Sequence, residues 1–428
     1  MIVHLLSTGD ELISGDIADT NSAWLCQELI NMGLRVEKIH GVADDTELIA
    51  DTIRQISSRA GLCIVTGGLG PTGDDLTAFA CSLAAGVGMQ LNEEALVSMK
   101  AYFVQKGYNM VPENEKQALL PVGAEPVINN YGTAPGFHIV IGSCLFIFMP
   151  GVPREMKQMF GEKIKPLISL KCKKELAPVF VEKMTVFGLG ESTAGAVLKD
   201  FYELFPGIRL SFRVIFPLIR LKLVQDATGD NAKAEEILKA RQWVMEKLGN
   251  KIISDKGFTM AEEVGRLLSL KNKSLALAES CTGGRIANMI TDMAGSSDYF
   301  LFSGVTYSNE AKMSVLNVQE RTLVENGAVS EPVALEMAEG ARKKSNADYA
   351  ISTTGIAGPG GGSPEKPLGM VCIGLSSPSS SFARTYKFHF NDREMNKQIF
   401  SITALNLLRR ELLKLKGVKS AHGSFTNL

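Results

Sequence analysis

A serine set between an apolar run and two glycines is the first place in this 428-residue sequence where chemistry can be sought. Leu275-Ala276-Leu277-Ala278-Glu279-Ser280-Cys281-Thr282-Gly283-Gly284-Arg285-Ile286-Ala287 reads as strand, tight loop and helix. Ser280 would then project from the turn, with the following N–H groups free at a helix N-terminus to hold an oxyanion or a phosphate. The alternative is a plain helix N-cap, a position that serine and threonine favour. Downstream, Gly304-Val305-Thr306-Tyr307-Ser308-Asn309-Glu310-Ala311-Lys312 places a lysine shortly after a tyrosine. Its amine becomes the base that a serine nucleophile needs if burial or a neighbouring cation lowers its pKa; otherwise Lys312 is a solvated helix residue. No histidine lies between Ser280 and His389, so a serine–histidine arrangement lacks material.

Three further segments carry ligand-binding vocabulary. Thr354-Gly355-Ile356-Ala357-Gly358-Pro359-Gly360-Gly361-Gly362 follows an apolar strand, and its glycines let backbone donors approach a ligand closely, or simply make a surface loop. Arg393 opens the last helical stretch, where it can pair with a phosphate or face solvent. Near the other end, Thr66-Gly67-Gly68-Leu69-Gly70-Pro71-Thr72-Gly73-Asp74-Asp75 follows a second apolar strand. Its glycines can wrap a phosphate, and its aspartates can hold a divalent cation or merely open the next helix. The spacing fits neither a Walker loop nor a dinucleotide fingerprint.

These segments need elements to position them. Over the first 160 residues short apolar runs (2–6, 36–40, 62–66) alternate with helical patterns (21–33, 46–58), which predicts an α/β domain with a mainly parallel sheet. In such a sheet ligands sit beyond the strand C-terminal ends, where Gly9-Asp10-Glu11 and the glycine loop fall. Residues 179–187 and 208–224, the latter broken near Phe216-Pro217, read as strands, and 231–248 as a helix: a small α+β linker domain with little catalytic vocabulary. A second α/β unit follows, with a helix over 259–270, strands over 274–278, 349–352 and 369–375, and a final helix over 393–415. The expected division is α/β multidomain: 1–170, 171–253, 254–416 and a small, polar, disordered tail over 417–428.

Bulk properties narrow the classes. Apolar residues make up 45% and charged residues 21%, the usage of a globular protein, and the formal net charge is −1. With no basic field and no basic stripe interleaved with aromatics, nucleic acid is not an expected partner. No apolar window reaches the ~18 residues of a membrane span, so no membrane is expected either. Seven scattered cysteines, mostly in apolar runs, point to reduced thiols and a cytoplasmic setting.

Taken in order, the four C-terminal segments resemble the C-terminal domain of the CinA family (competence/damage-inducible protein A), which is similar to stand-alone nicotinamide mononucleotide deamidases; the agreement spans 256–416. The resemblance implies that Ser280 is the nucleophile, that Lys312 and Tyr307 activate it, and that N–H groups near Thr282 and Gly283 hold the oxyanion. It also implies that Thr354, the loop with Gly355, Gly358 and Gly360, and Arg393 position the ribose phosphate, with no cofactor for this step. Where the family commonly carries a second arginine after Asp392-Arg393, this chain has Lys397.

Residues 1–160 also resemble that family, through the glycine loop, Gly9-Asp10-Glu11-Leu12, Asp44-Asp45, Gly132-Thr133-Ala134-Pro135-Gly136 and Met149-Pro150-Gly151-Val152-Pro153. This part is similar to molybdopterin-binding proteins, and the resemblance implies hydrolysis of ADP-ribose with a divalent cation (Mg, Co or similar). Asp10, Glu11, Asp44 and Asp75 are then the implied metal or water ligands, and Gly67, Gly68 and Gly70 surround the pyrophosphate. Gly73 replaces a basic residue usual in the family, and Glu115 and Val152 also depart from its pattern. The alternative for this domain is a nucleotide- or pterin-binding scaffold without hydrolysis. A homodimer is implied as well.

Overall fold

The computed structural model describes residues 1–172, 179–226 and 231–414, with the side chains of Asn231 and Ala232 left aside. The expected tail over 417–428 and the last residue of the expected final helix, Leu415, lie outside these. The chain divides into two compact units, Met1–Val179 and a second formed by Phe180–Gln225 and the chain from Asn231 onward.

In the first unit helices separate β1 (Val3–Thr8), β2 (Val36–Val42), β3 (Leu62–Thr66), β4 (Met89–Leu91) and β5 (Leu119–Pro121), while β6 (Glu125–Val127), β7 (Gly136–Ile141) and β8 (Cys144–Met149) follow without a helix between them. Six of them form one sheet in the order β2-β1-β3-β8-β7-β6, parallel from β2 to β8 and antiparallel thereafter. The period of two along each strand sends Leu6, Cys63, Val65, Phe146 and Phe148 into one core, and Leu5, Leu62, Ile64, Leu145 and Ile147 into the core on the opposite face. Covered on both sides, β3 and β8 are buried throughout, and apolar but for Thr66, rather than alternating.

The second unit begins with a four-stranded sheet built from β9 (Val179–Phe187), β10 (Arg209–Ile215), β11 (Leu218–Asp226) and β12 (Ile252–Ser254), in the order β10-β11-β9-β12. Helix Asn231–Leu248 packs Ile237, Ala240 and Val244 against it. A five-stranded sheet follows, in the order β14-β13-β15-β16-β17, from β13 (Leu275–Glu279), β14 (Phe300–Val305), β15 (Tyr349–Gly355), β16 (Met370–Ser376) and β17 (Ser381–Lys387). β13 is parallel to both neighbours, while β16 and β17 run antiparallel.

The faces of β13 differ in size, and the difference sets how closely each side is covered. Leu275 and Leu277 meet helices Met260–Lys271 and Arg393–Leu412, whereas Ala276 and Ala278 admit helix Glu331–Ser345. That helix comes so near that a Cβ on Gly374 would lie 2.2 Å from the Ala334 carbonyl oxygen. Phe187, Leu218 and Ile253 of the four-stranded module belong to the same core as Leu275 and Leu277.

Candidate active sites

β13 ends at Glu279, and the chain turns through Ser280–Gly284 into helix Arg285–Thr291. Gly283 and Gly284 have φ of 61° and 87°, the left-handed region that glycine enters without strain. Glu279 is fully buried, and its carboxylate accepts the N–H groups of Ile286 at 3.1 Å and Ala287 at 2.8 Å. The expectation of a free helix N-terminus is thereby corrected: the residue before the serine caps the helix itself, because β13 and the helix start are brought side by side by the tight loop. Ser280 consequently is not the cap. It lies 8% exposed in a cleft of about 210 Å³, with its own N–H bonded to the Thr353 carbonyl at 3.0 Å.

Lys312 enters that cleft from helix Asn309–Leu316, which Ser308 caps by accepting the Ala311 N–H. Helical side chains slant toward the N-terminus, so the lysine at the fourth helical position reaches back over the first turn. Its Nζ lies 3.2 Å from Ser280 Oγ, 2.9 Å from the Thr306 carbonyl oxygen and 3.2 Å from that of Tyr307. The side chain is 2% exposed, and no carboxylate among the described residues pairs with it. Burial holds the Lys312 pKa below the ordinary lysine value, against the opposing influence of Cys281 and Glu310. A lysine in this state takes the serine proton when neutral.

The other expected residues fall into two groups. Tyr307, Thr354, Gly355 and Arg393 line the cleft with Ser280 and Lys312. Thr282, Gly283, Gly358 and Gly360 do not. Thr282 is fully buried with its hydroxyl 2.7 Å from that of Thr353, and the Gly283 N–H donates to the Ser280 carbonyl at 3.1 Å. Gly283 therefore has no donor left for an oxyanion, while the N–H groups of Cys281 and Thr282 have no backbone acceptor among the described residues. Gly358 acts through its carbonyl, which accepts from Arg393 at 2.5 Å, and Gly360 stands in open space. Thr354 donates its hydroxyl to the Ala328 carbonyl at 2.7 Å. Tyr307 is 60% exposed, and its hydroxyl meets Arg393 rather than Ser280. Asn309, Ala328 and Val329 also line the cleft, and sequence reasoning misses them; the Ser308 cap signal is the only clue to Asn309. Lys397 lies one turn beyond Arg393, its Nζ 3.5 Å from where a Cβ on Gly283 would sit.

In the first unit the C-terminal ends of β1, β3 and β8 open into a cleft of about 530 Å³, within the usual range for ligand pockets. Gly67, Gly68 and Gly70 line it, and their lack of a side chain answers to the protein as well. A Cβ on Gly67 would fall 2.3 Å from the Thr8 carbonyl oxygen, one on Gly68 2.1 Å from Thr77 Oγ1, and one on Gly70 2.4 Å from Asp75 Oδ2. The Gly67 N–H is taken by the Met149 carbonyl. Among the described residues six carboxylates line the cleft (Glu11, Asp19, Asp44, Asp74, Asp75 and Glu155), and no lysine or arginine does. Lys116 stops outside, bonding the Thr72 carbonyl.

Asp10 and Asp44 exchange backbone bonds, each carboxylate accepting the other's N–H at 3.0 and 3.1 Å. Asp10 itself does not line the cleft. Asp75 is held inside the glycine loop by the N–H and hydroxyl of Thr72. Burial, helped by the charges of Asp10, Glu11 and Asp74, pushes the Asp44 carboxyl above its ordinary value, against the bond from the Asp10 backbone. Among the described residues no three histidine, cysteine or carboxylate groups converge to enclose an ion. The expected quartet of ligands thus does not assemble, since Asp75 serves the loop and Asp10 turns to the backbone. What does face the cleft is Asp44, whose Oδ1 is buried without a partner, near Asp74 and Glu11. Gln117 Oε1 and Asn21 Oδ1 are likewise unpaired at the cleft wall.

No helix is long and apolar enough to cross a membrane among the described residues. Comparison with known proteins matches residues 258–412 to the CinA C-terminal domain and residues 4–169 to the probable molybdopterin binding domain. Over 421 residues the chain is 49% identical to a CinA-like protein of Desulforapulum autotrophicum, covering 97% of this chain and 100% of that one. A CinA-like protein of Desulfosudis oleivorans is 46% identical over 414 residues, covering 96% and 100%. Among solved structures, the competence/damage inducible protein CihA from Agrobacterium tumefaciens is 38% identical over 36% of this chain and 97% of its own, with a TM-score of 0.35.

Proposed function

The chain belongs to the CinA family, and from that premise we propose that its C-terminal cleft hydrolyses nicotinamide mononucleotide to nicotinic acid mononucleotide and ammonia. The observation that carries this reading is the buried Lys312 amine 3.2 Å from Ser280 Oγ, with no carboxylate among the described residues to keep it charged. Ser280 Oγ adds to the carboxamide carbon as its proton passes to Lys312 Nζ. The N–H of Cys281, which lines the cleft and has no backbone acceptor among the described residues, is the donor available to the oxyanion. Collapse breaks the C–N bond, the proton on Lys312 leaves with ammonia, and water then cleaves the ester by the same route. A cleft of about 210 Å³ is below the ~300 Å³ that encloses a drug-sized ligand, so the ring enters while the phosphate stays at the mouth beside Arg393. Incubation with nicotinamide mononucleotide and measurement of ammonia tests this; release by wild type and none by Ser280→Ala is expected. Equal release by both, or none by either, refutes it.

For the N-terminal cleft we propose binding and hydrolysis of ADP-ribose with a divalent cation. A diphosphate brought among six carboxylates with no cationic side chain would be repelled, and Asp44 Oδ1 lacks any protein partner. Asp44 and Asp74 would hold the ion, with phosphate oxygens and water completing its shell, as is usual for magnesium. Bound there, such an ion supplies charge neutralisation on the leaving phosphate. The scaffold reading keeps one specific support: the loop has Gly73, in open space, where a phosphate-pairing base would help hydrolysis. Calorimetry with ADP-ribose beside an AMP assay separates the two, since heat without AMP favours the scaffold. None of the seven cysteines is in a disulfide and six of them are buried, which suits a cytoplasmic setting for both activities.

A further inference from the structure

The four-stranded module reaches into the neighbourhood of the C-terminal cleft by the tip of one hairpin. β10 and β11 pair in unbroken antiparallel register from Arg209↔Val224 to Ile215↔Leu218, leaving Phe216 and Pro217 at the turn. Phe216 stands edge-on to Phe390, ring centroids 5.1 Å apart at 84°. Its carbonyl accepts from Gln398 Nε2 at 2.5 Å, and the next hairpin residue, Leu218, is buried in the C-terminal core. Phe390 is three residues before Arg393. Its carbonyl accepts from Asn396 Nδ2 at 2.8 Å, and the same amide also donates to the Ala357 carbonyl at 3.1 Å. Ala357 is a wall of the cleft, and the adjoining Gly358 carbonyl holds the Arg393 guanidinium.

We propose that the β10–β11 hairpin is a working part of the C-terminal site, with Phe216 a positioning residue that fixes Arg393 through Phe390 and Asn396. The inference rests on the deamidase reading of that cleft, in which Arg393 meets the substrate phosphate. A lone arginine at the start of a helix has several rotamers of similar energy; anchoring the loop that precedes it from one side and its Gly358 acceptor from the other selects one. The contact would therefore lower KM for the phosphorylated substrate while leaving proton transfer between Ser280 and Lys312 unaffected, because neither residue touches the chain of contacts just traced.

The test uses the full chain. Phe216→Ala should raise KM for nicotinamide mononucleotide by about tenfold or more, with kcat within about twofold and an unchanged pH profile, as expected for lost orientation of a binding group. Phe216→Tyr, which keeps the ring, should restore KM. Hydrogen exchange read by mass spectrometry supplies a measurement independent of activity: protection over 388–396 should fall in Phe216→Ala and return in Phe216→Tyr. If the wild type does not release ammonia, the deamidase reading fails by itself, and exchange still decides whether the hairpin orders this loop. Unchanged KM and unchanged exchange in Phe216→Ala would overturn the proposal, as would equal loss of kcat at intact KM. Should Phe216→Ala not melt cooperatively, Phe216→Leu takes its place, and the same changes in KM and exchange support or overturn the proposal.

Discussion

Arg393 Nη2 donates to the hydroxyl of Tyr307 at 3.1 Å, and both residues line the cleft that holds Ser280. The tyrosine touches Lys312 only through its backbone carbonyl, at 3.2 Å. Its phenol is accordingly a partner of Arg393 and not of Ser280. Tyr307→Phe removes one bond that the Arg393 guanidinium donates and should raise KM by about tenfold with kcat nearly unchanged, whereas Arg393→Ala removes every charge-assisted bond of the guanidinium and should raise KM by roughly 10–100-fold. Steady-state kinetics on the two variants checks this; a collapse of kcat in Tyr307→Phe would return the phenol to the reacting atoms.

Glu279 joins the Ser280 loop to the helix that follows it. Glu279→Ala leaves two helix N–H groups without an acceptor in a buried place, and should cost about 2–4 kcal/mol of stability. Glu279→Gln keeps one acceptor oxygen and should lose less. Urea unfolding of the second unit measures both, and equal stability of wild type and Glu279→Ala would show that the cap is dispensable.

Cation dependence of the N-terminal cleft follows from its charge. Titration calorimetry should show ADP-ribose binding with magnesium or cobalt present and none after chelation, and Asp44→Asn should weaken the cation-dependent heat by about tenfold or more. Identical affinity before and after chelation would mean that the phosphates are held by groups other than these.

A stability signature should accompany the Lys312 burial. Its pKa is lowered in the folded protein, so between that value and the ordinary ~10.4 the unfolded chain binds more protons than the folded one. Stability then rises with pH through this window, and the effect is missing in Lys312→Met. Denaturation midpoints of the two proteins, compared from neutral pH upward, should shift in favour of wild type; parallel curves would show that Lys312 titrates as an ordinary lysine.

Much of this was legible in the sequence. Apolar runs such as Leu62–Thr66 marked both strand and buried faces, and the order of Ser280, Lys312, Thr354 and Arg393 matched the walls of one cleft. What escaped was direction. Residue type does not reveal that Thr282 turns inward to Thr353, that Glu279 bends forward to cap a helix, or that Asp75 folds into its own loop while Asp74 remains beside Asp44. Such choices depend on the loop dihedrals, which glycines leave open. Phe216 reaches Phe390 across 174 positions, a separation at which no local pattern operates.

Proton transfer between Lys312 and Ser280 is tested most directly by the pH dependence of kcat/KM for ammonia release from nicotinamide mononucleotide, in wild type and Lys312→Met. The buried amine must be neutral to accept the proton, so the wild-type rate should climb with pH to a plateau, with its midpoint below the ordinary lysine value of ~10.4. Lys312→Met should lose that limb together with about 10³-fold or more of the rate. A variant that keeps the wild-type rate and the same rising limb would contradict the assignment of Lys312 as the base.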